Sequence, residues 1–306
     1  MSSSPRQDVF TPHLLDGSRV LVTGGGSGLG LAIASALVAQ GASVLLWGRR
    51  PGVLAAAASS LGDAAGFDVV DVRDADAVDE AAERAFDDAP LTGLVNSAAA
   101  NFIAPTESLS ARAYRAVAST VMDGSFHVTH ALGKQWIAAG SPGSVVSLLT
   151  TWVDTGSAFV VPSAMAKAAV NAMTMSLAVE WARYGIRLNA IAPGPIPTEF
   201  AWDVLDPGAG AREDSSAPDV IGATDPRGIP AGRHGTLQEV ANLAVFLLSG
   251  ACDYLTGETI AMDGGQRLAG PATFAGLTAL RPADWAAIRE RGLAAAAATK
   301  AAQQEG

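Results

Sequence analysis

The sequence is poor in several residue types that would favour particular folds or ligands. Its 306 residues include one cysteine, Cys252, so an intrachain disulfide is impossible and the composition suits a reducing cytosol. The four histidines lack a cysteine or carboxylate partner at a metal-ligand spacing, so we expect no metal site. Lysine and arginine number 20 against 30 aspartate and glutamate. The net charge of −10 repels nucleic acid and anionic membranes, which we exclude as partners.

Long apolar runs are also absent. Residues 1–17 lack an apolar segment of signal-peptide length. No other stretch is long and apolar enough to cross a bilayer. These absences predict a soluble, cytoplasmic protein without a membrane partner.

The abundant residues indicate one large core. Hydrophobic residues make up 49% of the chain, and 33 glycines allow helices to pack closely on a sheet. Short leucine-rich or β-branched runs alternate with longer helical patterns, which is typical of βαβ units. We expect strands at 19–23, 43–47, 67–70, 93–96, 143–149, 186–191 and 259–262. We expect helices near 28–40, 74–88, 111–139, 163–184 and 237–249. The predicted fold class is α/β, a doubly wound parallel sheet with helices on both faces.

The same pattern divides the chain. Residues 18–265 form one predicted domain, preceded by an N-terminal extension at 1–17. Within the domain, 197–230 is rich in Gly, Pro, Asp and Ser and reads as a long substrate loop. Residues 266–306 show a helical pattern and form a predicted C-terminal extension.

A glycine-rich turn marks a nucleotide site. Thr23-Gly-Gly-Gly-Ser-Gly-Leu-Gly30 follows the first predicted strand and opens the first helix. Glycines at such a junction permit a tight turn and let backbone N–H groups approach a pyrophosphate at the helix N-terminus. The motif predicts a Rossmann fold with cofactor contacts from Thr23, Gly25, Gly26, Ser27, Gly28, Leu29 and Gly30.

The end of the second strand indicates which dinucleotide is bound. NAD-binding folds often place an acidic residue there, whereas this chain has Trp47-Gly48-Arg49-Arg50. Arg49 can pair with a 2′-phosphate, so we expect NADP(H). The alternative is that both arginines are solvated helix-start residues, an interpretation that suits Arg50 better than Arg49. Asp71, after the third strand, either accepts a hydrogen bond from the adenine amino group or is a surface carboxylate.

These residues together resemble the short-chain dehydrogenase/reductase family over essentially the whole chain. Further support comes from Asp71-Val72, Asn96-Ser97-Ala98, Lys167 and Pro193-Gly194-Pro195-Ile196. The resemblance implies that the segment at 96–98 lies against the cofactor and that the Pro-Gly segment flanks the nicotinamide. It adds Val72, Asn96, Ser97, Ala98, Lys167, Pro193, Gly194 and Ile196 to the expected cofactor contacts.

Four segments are similar to the mitochondrial-type 2,4-dienoyl-CoA reductases, namely 96–105, 154–163, 205–207 and 229–236. This similarity implies an NADPH-dependent reductase of unsaturated acyl-CoA thioesters. It also implies a homo-oligomer, expected as a tetramer assembled through the helices at 111–139 and 163–184.

The expected catalytic positions depart from the common family pattern. Most short-chain dehydrogenases carry tyrosine four residues before the lysine, whereas this chain reads Ser163-Ala-Met-Ala-Lys167. Serine is a far poorer proton donor than a phenol near neutral pH, so alcohol–carbonyl interconversion through that position is disfavoured. The dienoyl-CoA reductases share the serine. Their resemblance implies that Lys167 holds the nicotinamide ribose and that Ser163 bonds a water or Lys167.

The thioester-binding pair of that family is altered here. Its tyrosine falls on Trp152, which donates one N–H bond or lines an apolar pocket. Its asparagine falls on Asp123, which donates only when protonated, or else caps or solvates its helix.

Three further residues are candidate substrate contacts. Arg73 matches a family position near the CoA phosphates or is a surface arginine. Phe102 and Thr150 border the expected acyl pocket or belong to the core. Val204 stands where the family has another CoA-binding arginine.

Three functions remain open on the sequence. The leading hypothesis is an NADPH-dependent enoyl- or dienoyl-thioester reductase. The second is a short-chain reductase acting on another conjugated or carbonyl compound, suggested by Trp152 and Asp123. The third is a catalytically silent dinucleotide-binding protein, suggested by the missing tyrosine.

Overall fold

The computed structural model describes residues 11–101, 103–198 and 226–270. In this part of the chain, seven parallel strands form one sheet in the order β3-β2-β1-β4-β5-β6-β7. The strands are β1 (Arg19–Thr23), β2 (Ser43–Gly48), β3 (Ala65–Val69), β4 (Gly93–Asn96), β5 (Gly143–Leu148), β6 (Ile186–Pro193) and β7 (Thr259–Met262). The order reverses direction between β1 and β4, and ligands bind at such a switch point in open α/β sheets.

The helices cover both faces of this sheet. They are α1 (Gly28–Ala39), α2 (Pro51–Leu61), α3 (Ala75–Asp88), α4 (Ala111–Ala118), α5 (Gly124–Ala139), α6 (Val161–Glu180), α7 (Leu237–Leu248) and α8 (Gln266–Ala269). The predicted doubly wound fold is therefore confirmed.

Alternation along the strands builds two cores. In β1, Val20 and Val22 pack into a cluster with residues of α1, α2 and α7. Leu21 points to the opposite face and packs with residues of α3, α5 and α6. Successive strand residues face opposite sides, and both sides of a parallel sheet are covered, so the central strands are mostly apolar on both faces.

The structure differs from the sequence expectations at two helices. The sequence analysis considers a helix start at Arg50 but gives no helix after it, whereas α2 begins at Pro51, where the fixed φ of proline favours helix initiation. The expected continuous helix at 111–139 is divided into α4 and α5 by a π-turn at Ser119–Asp123.

Three expected regions lie partly or wholly outside the described residues. These are residues 1–10 of the N-terminal extension, 199–225 of the substrate loop and 271–306 of the C-terminal extension. Val204 falls in the second of these regions. Among the described residues, none of the helices is both long and apolar enough to span a membrane.

Candidate active site

The glycine turn between β1 and α1 is packed against the segment that follows β4. Gly24 has φ +66°, and a Cβ atom there would lie 3.0 Å from backbone atoms of Ser97 and Ala98. A Cβ atom on Gly30 would lie 2.5 Å from the carbonyl oxygen of Gly24. The hydroxyl oxygen of Thr23 accepts hydrogen bonds from the amides of Ser97 and Ala98, each at 3.1 Å. These contacts leave no space for side chains and fix the turn beside the strand ends.

The N-terminus of α1 differs from those of α3 and α7. In α3 the Asp74 carboxylate accepts from the amide of Ala77, and in α7 Thr236 and Glu239 form a capping box. The N-cap residue of α1, Ser27, makes no side-chain capping bond, and its first turn contains no acidic residue. The first amides of this 12-residue helix can therefore bind an anionic group of a ligand.

A cavity of about 1110 Å³ runs along the carboxyl ends of the strands. Thirteen of the expected cofactor residues line it: Gly26, Ser27, Gly28, Leu29, Arg49, Asp71, Val72, Ser97, Ala98, Lys167, Pro193, Gly194 and Ile196. Thr23, Gly25, Gly30 and Asn96 are buried behind this lining. The volume exceeds the usual range for small-ligand pockets, roughly 300–1,000 Å³, and suits a dinucleotide together with a substrate.

Two polar atoms on cavity-lining residues are buried without a hydrogen-bond partner. They are Nε1 of Trp47, at the end of β2, and Oγ1 of Thr150, after β5. Buried donors and acceptors in native proteins are nearly always satisfied. The Trp47 side chain is fully buried in the core, whereas Thr150 is partly exposed, so Thr150 is the one of the two that fits a polar ligand in the cavity.

At the β2 and β3 end of the cavity, the positive charges of Arg73 and Arg49 lie near Asp71. Nε of Arg73 donates to both carboxylate oxygens of Asp71, at 2.9 and 3.0 Å, and its amide donates at 3.1 Å. These bonds from Arg73 hold the pKa of Asp71 below its usual value, and the charge of Arg49 acts in the same direction. Arg73 does not line the cavity, so the structure pairs it with Asp71 and leaves Arg49 facing the cavity.

In the centre of the cavity, α6 presents Ser163 and Lys167. They are four residues apart and therefore share one helix face, and both are buried. Nζ of Lys167 donates to the carbonyl oxygen of Leu148. Burial disfavours the charged form and lowers the pKa of Lys167 to about 8. Lys167 is thus a cation near neutral pH that loses its charge with modest alkalinity.

Trp152 and Asp123, at which the resemblance leads us to expect thioester contacts, are placed differently. Trp152 lies in a 3-10 turn, Thr151–Val153, and lines the cavity beside Thr150. Asp123 ends the π-turn, is half-buried and is not among the lining residues. Thr120, from the same π-turn, lines the cavity instead. Its hydroxyl donates to the carbonyl oxygen of Ala116 at 2.9 Å. The i→i+5 bonding of a π-turn changes which residues share a helix face. The spacing in the sequence therefore does not reveal that Thr120, and not Asp123, lines the cavity.

The β7 end contributes residues that we did not predict. Gln266 and Arg267 of α8 line the cavity. Asp263 fixes their backbone, since its carboxylate accepts from the amides of Gly265 at 2.9 Å and Arg267 at 2.8 Å. The available signal was their position directly after the last strand, at the same sheet edge as the other lining residues. Phe102, an expected acyl-pocket residue, lies outside the described residues.

Known proteins are similar to this chain over most of its length. The family model described as enoyl-(acyl carrier protein) reductase matches residues 24–267. An uncharacterized oxidoreductase of Caenorhabditis elegans is 43% identical over 263 residues, which are 84% of this chain and 81% of the relative. A probable 2,4-dienoyl-CoA reductase of the same organism is 39% identical over 269 residues, covering 86% and 84%.

A solved structure shows the same architecture. The crystal structure of a short chain dehydrogenase from Bacillus anthracis is 35% identical to this chain, with a TM-score of 0.73. The match covers 83% of this chain and 98% of that one. The similarity therefore extends through the sheet and the strand ends that form the cavity.

Proposed function

The chain belongs to the short-chain dehydrogenase/reductase family of oxidoreductases, and from this premise we propose that it is an NADPH-dependent reductase of unsaturated acyl-CoA thioesters. Relatives named 2,4-dienoyl-CoA reductases support this substrate class. The observation that carries the proposal is the pairing of Ser163 with a buried Lys167 on one face of α6, in the cavity.

The described lining of the cavity contains no phenol that could act as a proton donor. None of the three tyrosines, Tyr114, Tyr184 and Tyr254, lies among the described residues that line it. Reduction of a ketone places negative charge on an oxygen that must be protonated directly, for which serine is a weak acid. Reduction of a conjugated thioester spreads that charge to the thioester oxygen, which needs hydrogen-bond donors and positive charge more than a strong acid. The residues present suit the second chemistry.

Three side chains would stabilise the developing charge. Lys167 provides a buried cation, whose electrostatic effect is large because water is excluded. The Thr150 hydroxyl lacks a protein partner and can donate to the thioester oxygen. Trp152 lines the same side and offers one N–H donor. Protonation at carbon, with the proton drawn from solvent, would complete the reduction.

The cofactor is held by the glycine turn and the strand ends. The unfilled amides of α1 would bind the pyrophosphate, and Lys167 would bind the nicotinamide ribose. When bound, the reduced nicotinamide supplies a hydride. Arg49 lines the cavity where an NAD-binding protein often has an acid, and it would pair with the 2′-phosphate of NADPH.

A panel of substrates tests the proposal. Oxidation of NADPH is followed with 2,4-dienoyl-CoA, 2-enoyl-CoA and simple ketones of similar size. We expect the highest kcat/KM with an unsaturated thioester. Absence of turnover with every thioester in the panel would contradict the proposal.

The presence of Trp152 favours a second candidate function, the reduction of another conjugated carbonyl compound. An indole in the place of a phenol changes both the shape and the hydrogen bonding of this side of the cavity. A ketone or conjugated ketone with the highest kcat/KM in the same panel would select this candidate. Tight NADPH binding without any turnover would instead select a cofactor-binding protein without catalysis.

We also propose a homotetramer assembled through α4, α5 and α6. Large apolar side chains on these helices are exposed in the single chain, among them Phe126, Met175 and Val179. Close helix packing would bury these side chains and remove their contact with water. Light scattering on the purified protein tests the assembly, and a monomer at micromolar concentration would contradict it.

A further inference from the structure

The cavity differs in charge from the rest of the chain. Its described lining contains four basic residues, Arg49, Arg50, Lys167 and Arg267, and one acidic residue, Asp71. The whole chain carries a net charge of −10. Local positive potential in a cleft of an acidic protein attracts anionic ligands to that cleft.

The basic residues lie at different places along the cavity. Arg49 and Arg50 follow β2, whereas Arg267 follows β7, on the far side of the switch point. Five strand positions separate β2 from β7, which is roughly 24 Å at the usual spacing of strands. One phosphate group therefore cannot contact both ends. An anionic group bound at Arg267 is therefore a different group from one bound at Arg49.

Arg267 is weakly engaged within the protein. Its Nη1 lies 3.9 Å from Oδ2 of Asp154, and the two side chains are 38% and 62% exposed. An exposed ion pair at this distance contributes little stability and exchanges readily with a ligand. The Arg267 backbone, in contrast, is held by its bond to Asp263. The side chain can turn to a ligand without moving the backbone.

Arg73, the arginine expected near the CoA phosphates, is engaged far more strongly. It makes the bonds to Asp71 described above and does not line the cavity. Binding of Arg73 to a ligand would break these charge-assisted bonds, which are among the stronger hydrogen bonds in proteins. Arg267 would therefore lose less interaction energy than Arg73 on binding a phosphate.

We propose that Arg267 is a substrate-binding residue whose guanidinium binds a phosphate group of the CoA part of the substrate at the β7 rim. This inference rests on the proposed thioester reductase. The reacting thioester must reach the buried Lys167, so the large anionic part of CoA extends outward to a partly exposed rim. Apart from the buried Lys167, Arg267 is the one basic residue among the described lining on that side of the sheet.

The test compares ligands with and without phosphate. Binding of free CoA to the NADPH-loaded protein is measured by calorimetry for the wild type, R267Q and R267K. We expect R267Q to raise the Kd for CoA about tenfold, as loss of one charge-assisted contact at a partly exposed site predicts. R267K retains the charge and should lose less. D154N, the matched control, removes the weak ion pair and should leave the Kd unchanged or lower it.

Turnover gives a second, independent readout. R267Q should raise KM for a 2,4-dienoyl-CoA about tenfold with kcat unchanged. KM for the corresponding dienoyl-pantetheine thioester, which lacks the nucleotide and its phosphates, should not change. An equal rise in KM with both thioesters would indicate a structural role and overturn the inference.

The two proposals fail in different ways. Wild-type binding of CoA that R267Q leaves unchanged, or no binding of CoA by the wild type, would overturn the role of Arg267. Binding of CoA that depends on Arg267 but is followed by no reduction would support that role and contradict the proposed reductase.

Discussion

The two ends of the cavity differ in how their polar groups are partnered. At the β1 to β3 end, Thr23, Asp71 and Arg73 are held by hydrogen bonds within the protein, although Nε1 of Trp47 lacks a partner in the core there. At the β5 to β7 end, the Thr150 hydroxyl has no partner and Arg267 makes one long ion pair. The first end is a rigid frame made largely by backbone geometry. The second end has side chains whose partners arrive with the ligand, so it determines which substrate is accepted.

Removal of the positive charge of Lys167 should cause the largest loss of activity. K167M should reduce kcat/KM for an unsaturated acyl-CoA by about 10²–10³-fold, as for loss of an electrostatic stabiliser in a water-poor site. Steady-state kinetics measure this effect. K134M, which changes an exposed lysine on α5, should retain activity. Comparable losses in the two variants would contradict the role of Lys167.

A substitution in the glycine turn should disturb the backbone at the β1 to β3 end. In G30A the new Cβ atom would lie 2.5 Å from the carbonyl oxygen of Gly24, so the backbone must shift. We expect Kd for NADPH to rise about 10- to 100-fold, since overpacking of this kind costs about 1–3 kcal/mol. Calorimetry measures the affinity.

The matched control for this variant is G52A. Gly52 lies in α2, and a Cβ atom there would have no neighbour within 4 Å. This variant should bind NADPH like the wild type. Normal NADPH binding by G30A would show that the turn does not shape the cofactor site.

The sequence predicted the frame better than the substrate end for a physical reason. The glycine spacing and the apolar strands are local signals, and all seven strands overlap the expected ranges, with ends displaced by at most two residues. That Thr120 lines the cavity and Asp123 does not depends on a π-turn, which hydrophobic periodicity does not reveal. The position of Arg267 depends on how the chain turns after β7, a tertiary feature. The position of Arg73 in the sequence does not show that its side chain pairs with Asp71.

The pH dependence of kcat/KM should show whether the charge of Lys167 is required. The pKa of Lys167 is lowered to about 8 because burial disfavours its charge. If the cation is required, kcat/KM is steady below this pH and falls as pH rises through it. The decline should approach tenfold per pH unit well above the pKa. The pH profile of kcat/KM for the acyl-CoA measures it. The residual activity of K167M should lack this decline, and a wild-type profile flat to pH 10 would exclude the requirement.

A smaller effect is expected at Arg49, the basic residue that follows β2. R49Q should raise Kd for NADPH about tenfold and leave Kd for NADH nearly unchanged, because NADH lacks the 2′-phosphate. Calorimetry with both dinucleotides measures the ratio. R112Q, at an exposed arginine on α4 outside the cavity lining, provides the control. Equal weakening of NADPH and NADH by R49Q would indicate that Arg49 does not read the phosphate.

Transfer of deuterium from NADPH labelled at the reactive carbon tests the central claim most directly. The account predicts that a 2,4-dienoyl-CoA gains one carbon-bound deuterium in its acyl chain with the thioester intact, as seen by mass spectrometry. An unchanged thioester, or a label found only in the alcohol formed from a ketone, would contradict it.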